Sequence, residues 1–202
     1  MRRQLDLLAA VPIGFDARFA ELRRAQLADG AWADHVPGWV TGHDRLFEAL
    51  EASLAWRSET RRMYDHVVAT PRLLAGVPAA EICGGVIEDM RRALSERYGE
   101  DFVRTTAALY RDGNDSVAWH GDTTARDMAR ATVATLSLGQ PRRFLLRPAA
   151  GGASIAYQLG HGDLLVMGGT CQRTWRHAIP KVARAPGPRI AVMFRPAWDQ
   201  PS

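Results

Sequence analysis

Apolar positions recur at helical spacing in two segments of the first hundred residues. The first segment starts at Asp44, a residue type that caps helices, and carries four apolar side chains at that spacing: Leu46, Phe47, Leu50 and Leu54. The second runs from Val86 to Tyr98 and is followed by Gly99, which suits a helix C-terminus. We therefore predict two helices. The basic and aromatic segment between them, residues 61–72, has no helical period and is typical of an exposed loop or hairpin.

After Phe102 the pattern changes to short apolar runs, separated by clusters of glycine, proline, asparagine and aspartate. About eight strands at this spacing are typical of an antiparallel sandwich or barrel. Because the predicted helices all lie in the N-terminal half, we predict an α+β fold in which helices back a jelly roll. The predicted strands are Val103–Tyr110, Ser116–Trp119, Ala131–Leu138, Arg143–Arg147, Ser154–Gln158, Asp163–Met167, Arg173–Ile179 and Arg189–Arg195.

Length and composition limit the classes of protein. The chain has 202 residues, 47% of them hydrophobic and 24% charged, which suits one soluble domain with a single core. It contains no stretch of 18 uncharged apolar residues and no apolar signal segment, so we expect a cytoplasmic protein that does not enter a membrane. Two cysteines are too few for a disulfide framework. The net charge of +4 comes almost entirely from arginine, which favours polyanionic partners, although GC-rich coding DNA produces the same composition.

Two His-X-Asp triplets occur, His120-Gly121-Asp122 and His161-Gly162-Asp163. Residues two apart on a strand point to the same face, so either triplet offers an imidazole and a carboxylate to one metal ion. A two-histidine, one-carboxylate site needs a third ligand from a distant strand.

His177 is the candidate for this third ligand. It lies 57 residues beyond His120 but only 16 beyond His161, about one hairpin. We therefore assign metal ligation to His120, Asp122 and His177, and we assign His161, which lies between two glycines, to a tight turn. The alternative is that His120 is a solvated turn residue and His177 a hydrogen-bonded core histidine.

The last predicted strand alternates strictly between two kinds of side chain. Arg189 and Arg195 share one face with Ala191 between them, and the other face is apolar. A buried guanidinium needs an anionic partner, which a dicarboxylate cosubstrate would supply. The alternative is an edge strand with solvated arginines. A metal triad and an arginine pair on one β-domain together suit iron(II) with 2-oxoglutarate, because the triad leaves positions for the oxoacid and for dioxygen.

Five stretches of the chain, taken in order, resemble the AlkB-type iron(II)/2-oxoglutarate-dependent dioxygenases, which are oxidative demethylases of nucleic acids. Each stretch is modest alone, but the ordered set is specific. Two further short stretches, Met63-Tyr64 and Pro71-Arg72, resemble the nucleotide-recognition lid of this family. The five main stretches are Tyr110–Asp122, Leu136–Gly139, Gly162–Gly169, Gln172–Lys181 and Arg189–Arg195.

The resemblance implies one domain over residues 1–202. Its double-stranded β-helix (jelly-roll) core covers about residues 101–196, supporting helices and the lid cover about residues 35–100, and residues 1–34 form an N-terminal extension. The implied cofactors are Fe(II), 2-oxoglutarate and O2. The implied reaction is oxidative dealkylation of base nitrogens, which releases formaldehyde, CO2 and succinate. We expect the partner to be alkylated single- or double-stranded DNA, or RNA, and the protein to be a monomer.

The resemblance also implies roles for single residues. Iron would be held by His120, Asp122 and His177, the distal carboxylate of 2-oxoglutarate by Tyr110 and Arg189, and Arg195 would face the carboxylate end near the iron. The remaining candidates, for contacts to the nucleic acid or the target base, are Met63, Tyr64, His66, Arg72, Trp119 and Thr124.

The chain departs from the family pattern at three positions. Ala108 stands where the family usually has an asparagine that hydrogen-bonds the cosubstrate, and Ala191 stands where some members have another. Thr124 stands where other members carry an acid that contacts the base. The base preference is therefore left open. Two other functions are compatible with the sequence: a 2-oxoglutarate dioxygenase acting on a protein or small molecule, and a non-catalytic relative that binds nucleic acid.

Overall fold

The described part of the protein has two large antiparallel β-sheets that face each other, a small two-stranded sheet of β1 and β4, and two helices packed outside the larger sheet. We describe a computed structural model covering residues 11–63, 66–122, 125, 128–183 and 187–197, with the backbone alone for residues 59–63 and 66–70. The helices are α1 (His43–Ser53), α2 (Val86–Tyr98) and the single turn α3 (Cys171–Thr174). The strands are β1 (Gly14–Phe15), β2 (Arg23–Gln26), β3 (Ala31–Val36), β4 (Val40–Thr41), β5 (Arg57–Met63), β6 (His66–Gly76), β7 (Phe102–Tyr110), β8 (Val117–His120), β9 (Val133–Gly139), β10 (Arg142–Pro148), β11 (Ile155–Leu159), β12 (Asp163–Gly169), β13 (Trp175–Ile179) and β14 (Arg189–Pro196).

The strand order confirms the predicted jelly roll. The larger sheet has the order β2-β3-β12-β9-β14-β7-β6-β5, and the smaller sheet has the order β11-β10-β13-β8. Neighbouring strands run antiparallel in both sheets. Two such sheets packed face to face bury the inward side chains of both, which is where a pocket can form.

Strand β14 separates the two hydrophobic cores. Ile190, Val192 and Phe194 point to the helix side and join a core with residues of α1 and α2. Ala191 points to the other side and joins a core between the two sheets. The structure therefore confirms that the side chains of β14 alternate between the two faces as the sequence predicts.

Both predicted helices are present, and each buries an apolar stripe against the larger sheet. Leu46 and Leu50 are buried on α1. Helix α2 ends as predicted at Gly99, whose φ of 66° is the left-handed conformation that glycine adopts readily. The start of α1 differs from the prediction, because Gly42 occupies the N-cap position and Asp44 lies in the first turn. A carboxylate there still interacts favourably with the helix dipole.

Each strand predicted after Phe102 is present with bounds within two residues of the prediction, and one of the late starts has an evident cause. The segment predicted as Arg173–Ile179 starts with the helical turn α3, and the strand begins only at Trp175. The turn forms because the amides of Arg173 and Thr174 both donate to the carbonyl of Thr170. Of the segment 61–72, residues 61–63 lie in β5 and residues 66–72 in β6; these strands pair with each other and β6 pairs with β7, so they extend the larger sheet.

The sequence patterns did not predict strands β2 and β3. Strand β3 pairs with β12 over its whole length, from Val36 opposite Leu164 to Ala31 opposite Gly169. A polar residue, Asp34, occupies a buried position on β3 and interrupts the hydrophobic alternation. Part of the predicted N-terminal extension therefore belongs to the larger sheet. No helix in the described part of the chain is long and apolar enough to cross a membrane.

A buried carboxylate, Asp34, ties these N-terminal strands to α2. The carboxylate of Asp34 accepts hydrogen bonds from Nε and Nη2 of Arg24, both at 2.7 Å, and from the hydroxyl of Tyr98 at 3.0 Å. The ring of Trp32 stacks on Tyr98, with ring centroids 5.6 Å apart, and Arg24 lies over its other side at 4.3 Å. The buried carboxylate is thus satisfied by three donors.

We predict that Asp34→Asn lowers the free energy of unfolding by about 1–3 kcal/mol, because the amide cannot accept both guanidinium bonds and leaves a buried polar group poorly paired. Urea unfolding measures this. Asp101→Asn is the matched control, since its carboxylate is 79% exposed and forms a long ion pair with Arg91. Equal stability of the two variants would contradict the prediction.

A second carboxylate, Asp163, fixes the start of β12. It accepts hydrogen bonds from the amides of Gly38 at 2.9 Å and Gly160 at 2.8 Å, and its Oδ2 lies 3.2 Å from Nε2 of His35. Burial by itself would raise the pKa of Asp163, but these hydrogen bonds outweigh it and hold the pKa below its usual value.

The depressed pKa makes this contribution to stability pH-dependent. It is fully present above the pKa of an unfolded aspartate and is lost as the pH falls through the lower folded-state pKa. We predict that Asp163→Asn is less stable than the wild type at pH 7 and that the difference shrinks below about pH 4. Urea unfolding at pH 7, 5, 4 and 3 tests this. A difference that does not change with pH would show that the charge of Asp163 contributes nothing.

Candidate active site

A cavity of about 820 Å³ lies between the two sheets. Its lining comes from β5, β6, β7, β9, β12 and β14 of the larger sheet and from β8, β10 and β13 of the smaller one. Three of the residues that line it are the predicted metal ligands His120, Asp122 and His177. Tyr110 and Arg195 line it as well. The structure thus brings the predicted ligands to one cavity.

Strand pairing places the two histidines side by side. His120 on β8 lies directly opposite His177 on β13, with ring centroids 4.2 Å apart. A register shift between His177 and Ile179 interrupts the ladder beside them. Irregularities of this kind often re-aim side chains next to active sites.

Hydrogen bonding and burial give both imidazoles a form that can bind a metal. Nδ1 of His120 lies 2.9 Å from the carbonyl oxygen of Ala118, which only accepts, so Nδ1 carries the hydrogen and Nε2 the lone pair. Burial holds the pKa of His177 well below its usual value, and the positive charges of nearby histidine and arginine side chains act in the same direction. A neutral imidazole is the form that ligates metals.

Asp122 is oriented from two sides. Its Oδ2 accepts a hydrogen bond from Nε of Arg195 at 2.6 Å, and its backbone amide donates to Oε1 of Gln172 at 3.1 Å. Nη1 of Arg195 also donates to the hydroxyl of Thr106 at 2.8 Å. The middle residue of the triplet has to be glycine, because a Cβ on Gly121 would lie 2.6 Å from the carbonyl oxygen of Gln172.

Three guanidinium groups surround the ring of Tyr110 at one end of the site. The distances from the ring centroid are 5.3 Å for Arg189, 5.7 Å for Arg142 and 6.0 Å for Arg72. Arg189 and Arg142 are buried. We call these three arginines the guanidinium cluster.

The cluster is paired only with neutral oxygen atoms among the described residues. Nε of Arg189 donates to the hydroxyl of Ser137 at 3.0 Å, and Nη1 of Arg72 donates to that of Tyr110 at 3.0 Å. Arg142 donates to three backbone carbonyls. Both terminal nitrogens of Arg189 are buried without a hydrogen-bond partner among the described residues. Burial lowers the pKa of Arg189 to about 10, and the two neighbouring guanidiniums act in the same direction.

This arrangement fits a dicarboxylate cosubstrate. Buried cations without anions are costly, and a carboxylate placed between them would accept charge-assisted hydrogen bonds from the unpaired nitrogens of Arg189. Ala108 and Ala191 lie directly opposite each other on β7 and β14, next to the cluster, and offer methyl groups only. The guanidinium cluster therefore supplies the polar contacts at this end of the site.

A second group of potential metal ligands lies at the start of α1. The ligand atoms of His43, Asp44 and His161 are within 4.8 Å of one another. The amide of Gly139 donates to Nδ1 of His161 at 3.1 Å, so Nε2 carries the ring hydrogen and donates to Asp44 at 3.0 Å. An Nε2 that carries a hydrogen has no lone pair for a metal. His161 therefore acts as a tie between a turn and α1, in agreement with its assignment to structure.

The other sequence candidates are distributed as follows. Met63 and His66 pair with each other at the end of the β5–β6 hairpin, and their side chains are not described. Tyr64 and Thr124 lie outside the described residues. Trp119 is not among the residues that line the cavity, because it precedes His120 on β8 and its ring lies against Arg147, 4.1 Å from the guanidinium carbon.

Two residues of the site were missed in the sequence. Ser137 lies within the stretch Leu136–Gly139, but only the register of β9 with β14 brings it near Arg189. Arg142 starts β10 on the same side as Phe144 and Leu146, which are buried. That alternation is visible in the sequence and is the signal that would have identified Arg142 as inward-facing.

Comparisons with known proteins agree with this geometry. A family model described as the 2OG-Fe(II) oxygenase superfamily matches residues 43–195. Two solved structures have similar folds: a 2OG-Fe(II) oxygenase-family oxidoreductase from Burkholderia pseudomallei (TM-score 0.55, 15% identity, 81% of this chain and 84% of that one) and a prolyl hydroxylase from Trichoplax adhaerens (TM-score 0.60, 11% identity, 84% of each chain). At these identities, the similarity concerns the fold alone.

Curated relatives are more similar in sequence. The proteins named alpha-ketoglutarate-dependent dioxygenase alkB homolog 3 from Bos taurus and Homo sapiens are 29% and 28% identical, each over 82% of this chain and 66% of its own length. The DNA oxidative demethylase ALKBH2 of Arabidopsis thaliana is 32% identical over 74% of this chain and 60% of its own length. The chain thus spans just under two thirds of the relatives that it matches. The family model, however, matches well over half of the chain, and the chain belongs to the 2OG-Fe(II) oxygenase superfamily.

Proposed function

We propose that this protein removes alkyl groups oxidatively from base nitrogens in nucleic acid, with DNA as the first candidate substrate. The observation that carries the proposal is that two groups of residues are neighbours. One is the two-histidine, one-carboxylate set on the cavity wall, and the other is the guanidinium cluster beside it. The names of the relatives, which include DNA oxidative demethylases, support a nucleic-acid substrate.

In this proposal His120, Asp122 and His177 hold the iron. Two neutral imidazoles and one carboxylate on one side of a metal are the donor set of non-haem iron(II) oxygenases. With 2-oxoglutarate and dioxygen, the bound iron supplies the oxidation of an N-alkyl carbon, with CO2 and succinate as co-products and formaldehyde as the product from a methyl group. The protein contributes by holding the metal ligands in position. Arg195 fixes the carboxylate of Asp122 through its 2.6 Å hydrogen bond, and the carbonyl of Ala118 orients the ring of His120.

In this proposal the metal ligands and the guanidinium cluster would hold the two ends of the cosubstrate. Arg189 and Tyr110 would bind its distal carboxylate, and Arg72 and Arg142, 6.0 Å and 5.7 Å from the centroid of the Tyr110 ring, add positive charge there. Arg195 lies at the opposite end, beside the metal ligands, where the cosubstrate's other carboxylate would lie. Both ends of a dianion are thus met by arginine, which offsets the absence of asparagine at Ala108 and Ala191.

The target base would enter the cavity from the side of β5 and β6. A base in a duplex is out of reach of a cavity between two sheets, so it would have to leave the stack, which costs least where methylation has already broken the pairing. Met63 ends β5 and His66 begins β6; we propose these two residues, and Tyr64 from the sequence between them, as contacts to the nucleic acid.

We predict that incubation with Fe(II), 2-oxoglutarate, ascorbate and a single-stranded oligonucleotide bearing one 1-methyladenine or 3-methylcytosine removes one methyl group. Mass spectrometry of the oligonucleotide measures the loss. His177→Ala is expected to abolish it, because two ligands do not hold iron in the required geometry.

The same reaction mixture separates the alternatives. Decarboxylation of 2-oxoglutarate without loss of methyl would keep the dioxygenase and move the substrate to a protein or small molecule. Neither decarboxylation nor demethylation, together with binding of the oligonucleotide, would identify a non-catalytic relative. Either result would overturn the proposed reaction.

A second prediction concerns the buried charge of Arg189. We expect Arg189→Met to be at least as stable as the wild type without cosubstrate, since it replaces a buried, incompletely paired cation with an apolar side chain. We also expect 2-oxoglutarate, with Mn²⁺ in place of iron, to stabilise the wild type by about 2.7 kcal/mol at one hundred times its dissociation constant and the variant far less.

Thermal unfolding with and without 2-oxoglutarate measures both effects. Arg143→Met is the matched control, because it makes the same substitution and removes the same charge at an exposed position, on β10. The assignment of Arg189 fails if 2-oxoglutarate raises the melting temperature of Arg189→Met as much as that of the control.

A further inference from the structure

Two arginines at the mouth of the cavity take part in none of the contacts described so far. Arg57 on β5 and Arg104 on β7 both line the cavity and are both exposed. Neither forms an ion pair or a side-chain hydrogen bond with another residue whose side chain the structure describes. They are therefore charged groups at the entrance that the metal site and the cosubstrate site do not use.

Arg104 has no acidic partner among the described residues that line the cavity. Arg104 lies directly opposite Arg195 in the β7–β14 pair. Like charges directly opposite each other destabilise an antiparallel pair. Arg195 is neutralised by Asp122, which is the one carboxylate among the described residues that line the cavity. No acidic group of the lining is thus left to compensate Arg104.

Sheet register sets the separation of the two arginines. Arg57 pairs with Leu74 on β6, Leu74 pairs with Ala108 on β7, and Arg104 lies four residues before Ala108. Two strand spacings across the sheet and four residues along it correspond to about 17 Å between the Cα atoms of the two arginines. A nucleic-acid strand presents one phosphate at every nucleotide, so neighbouring phosphates of one strand can contact both arginines.

We infer that Arg57 and Arg104 form a two-point clamp for the backbone phosphates on either side of the target nucleotide. The inference rests on the proposed function, since it concerns the same cavity. It narrows the substrate class to a strand with phosphates flanking the alkylated base, and excludes the free nucleoside and the free base as good substrates. Contacts to phosphates fix the register of a strand without reading its sequence, so the clamp does not select the base.

Binding of an unmethylated single-stranded oligonucleotide tests the clamp without any catalysis. Fluorescence anisotropy at a series of salt concentrations measures the dissociation constant of the wild type, Arg57→Gln, Arg104→Gln and the control Arg143→Gln. Each clamp variant is expected to weaken binding about fivefold relative to the control at low salt. Each is also expected to reduce the slope of log K against log salt by about 0.7, which is the effect of one lost phosphate contact on a single strand.

Kinetics provide the second measurement. We expect both clamp variants to raise KM for a methylated oligonucleotide, to leave kcat nearly unchanged, and to leave the slow turnover of the methylated nucleoside unaltered. Salt slopes equal to that of Arg143→Gln would overturn the clamp even if demethylation is observed. Reduced slopes without any demethylation would keep the clamp and remove the proposed reaction, so the two failures are distinguishable. A nucleoside turned over as efficiently as the oligonucleotide would also overturn the clamp.

Discussion

The pleat of strand β14 is the constraint on which the site depends. Successive side chains of a strand point to opposite faces, so a central strand between helices on one side and a second sheet on the other must serve both. Ile190, Val192 and Phe194 fill the helix-side core, and Arg189 and Arg195 enter the space between the sheets. A shift of one residue would exchange the two sets, burying charge in the apolar core and removing it from the cavity.

Positive charge between the sheets is the consequence of this arrangement. Among the described residues, few negative groups pair with these arginines. Asp122 pairs with Arg195, and the guanidinium cluster is paired with neutral oxygen atoms. Burying these positive charges costs free energy of folding, and binding of a dianion offsets this cost. A bound cosubstrate would therefore contribute to the electrostatic balance of the domain. The exposed arginines Arg57 and Arg104 continue the same sign of charge to the entrance, where a phosphate backbone would be attracted.

Several of the secondary-structure elements could be predicted from the sequence. Helix α2 and strand β14 have clear periodicity in the sequence, and the predicted bounds of α2, β7, β12 and β14 lie close to the observed ones. Strand β3 could not be found in this way, because its buried Asp34 is matched by Arg24 on β2 and by Tyr98 on α2, and this pairing exists only once the chain is folded. The helical turn at Cys171–Thr174 depends on local backbone hydrogen bonds to Thr170, which leave no hydrophobic pattern.

The sequence by itself determined the fold class, the family, and the residue types available for chemistry: two histidines and an aspartate at the right spacing, and two arginines on one strand face. The local pattern does not distinguish His120 from His161, because both residues begin a His-Gly-Asp triplet. The assignment to His120 rests on its separation from His177 along the chain. In the folded protein the amide of Gly139 donates a hydrogen bond to Nδ1 of His161, whereas the pairing of β8 with β13 brings His120 and His177 together. It also recruited Ser137, Arg142 and Arg72 around Tyr110. The physical reason is that periodicity reports which face a side chain takes, whereas contacts between distant strands depend on register, and register is set by the packing of the whole sheet.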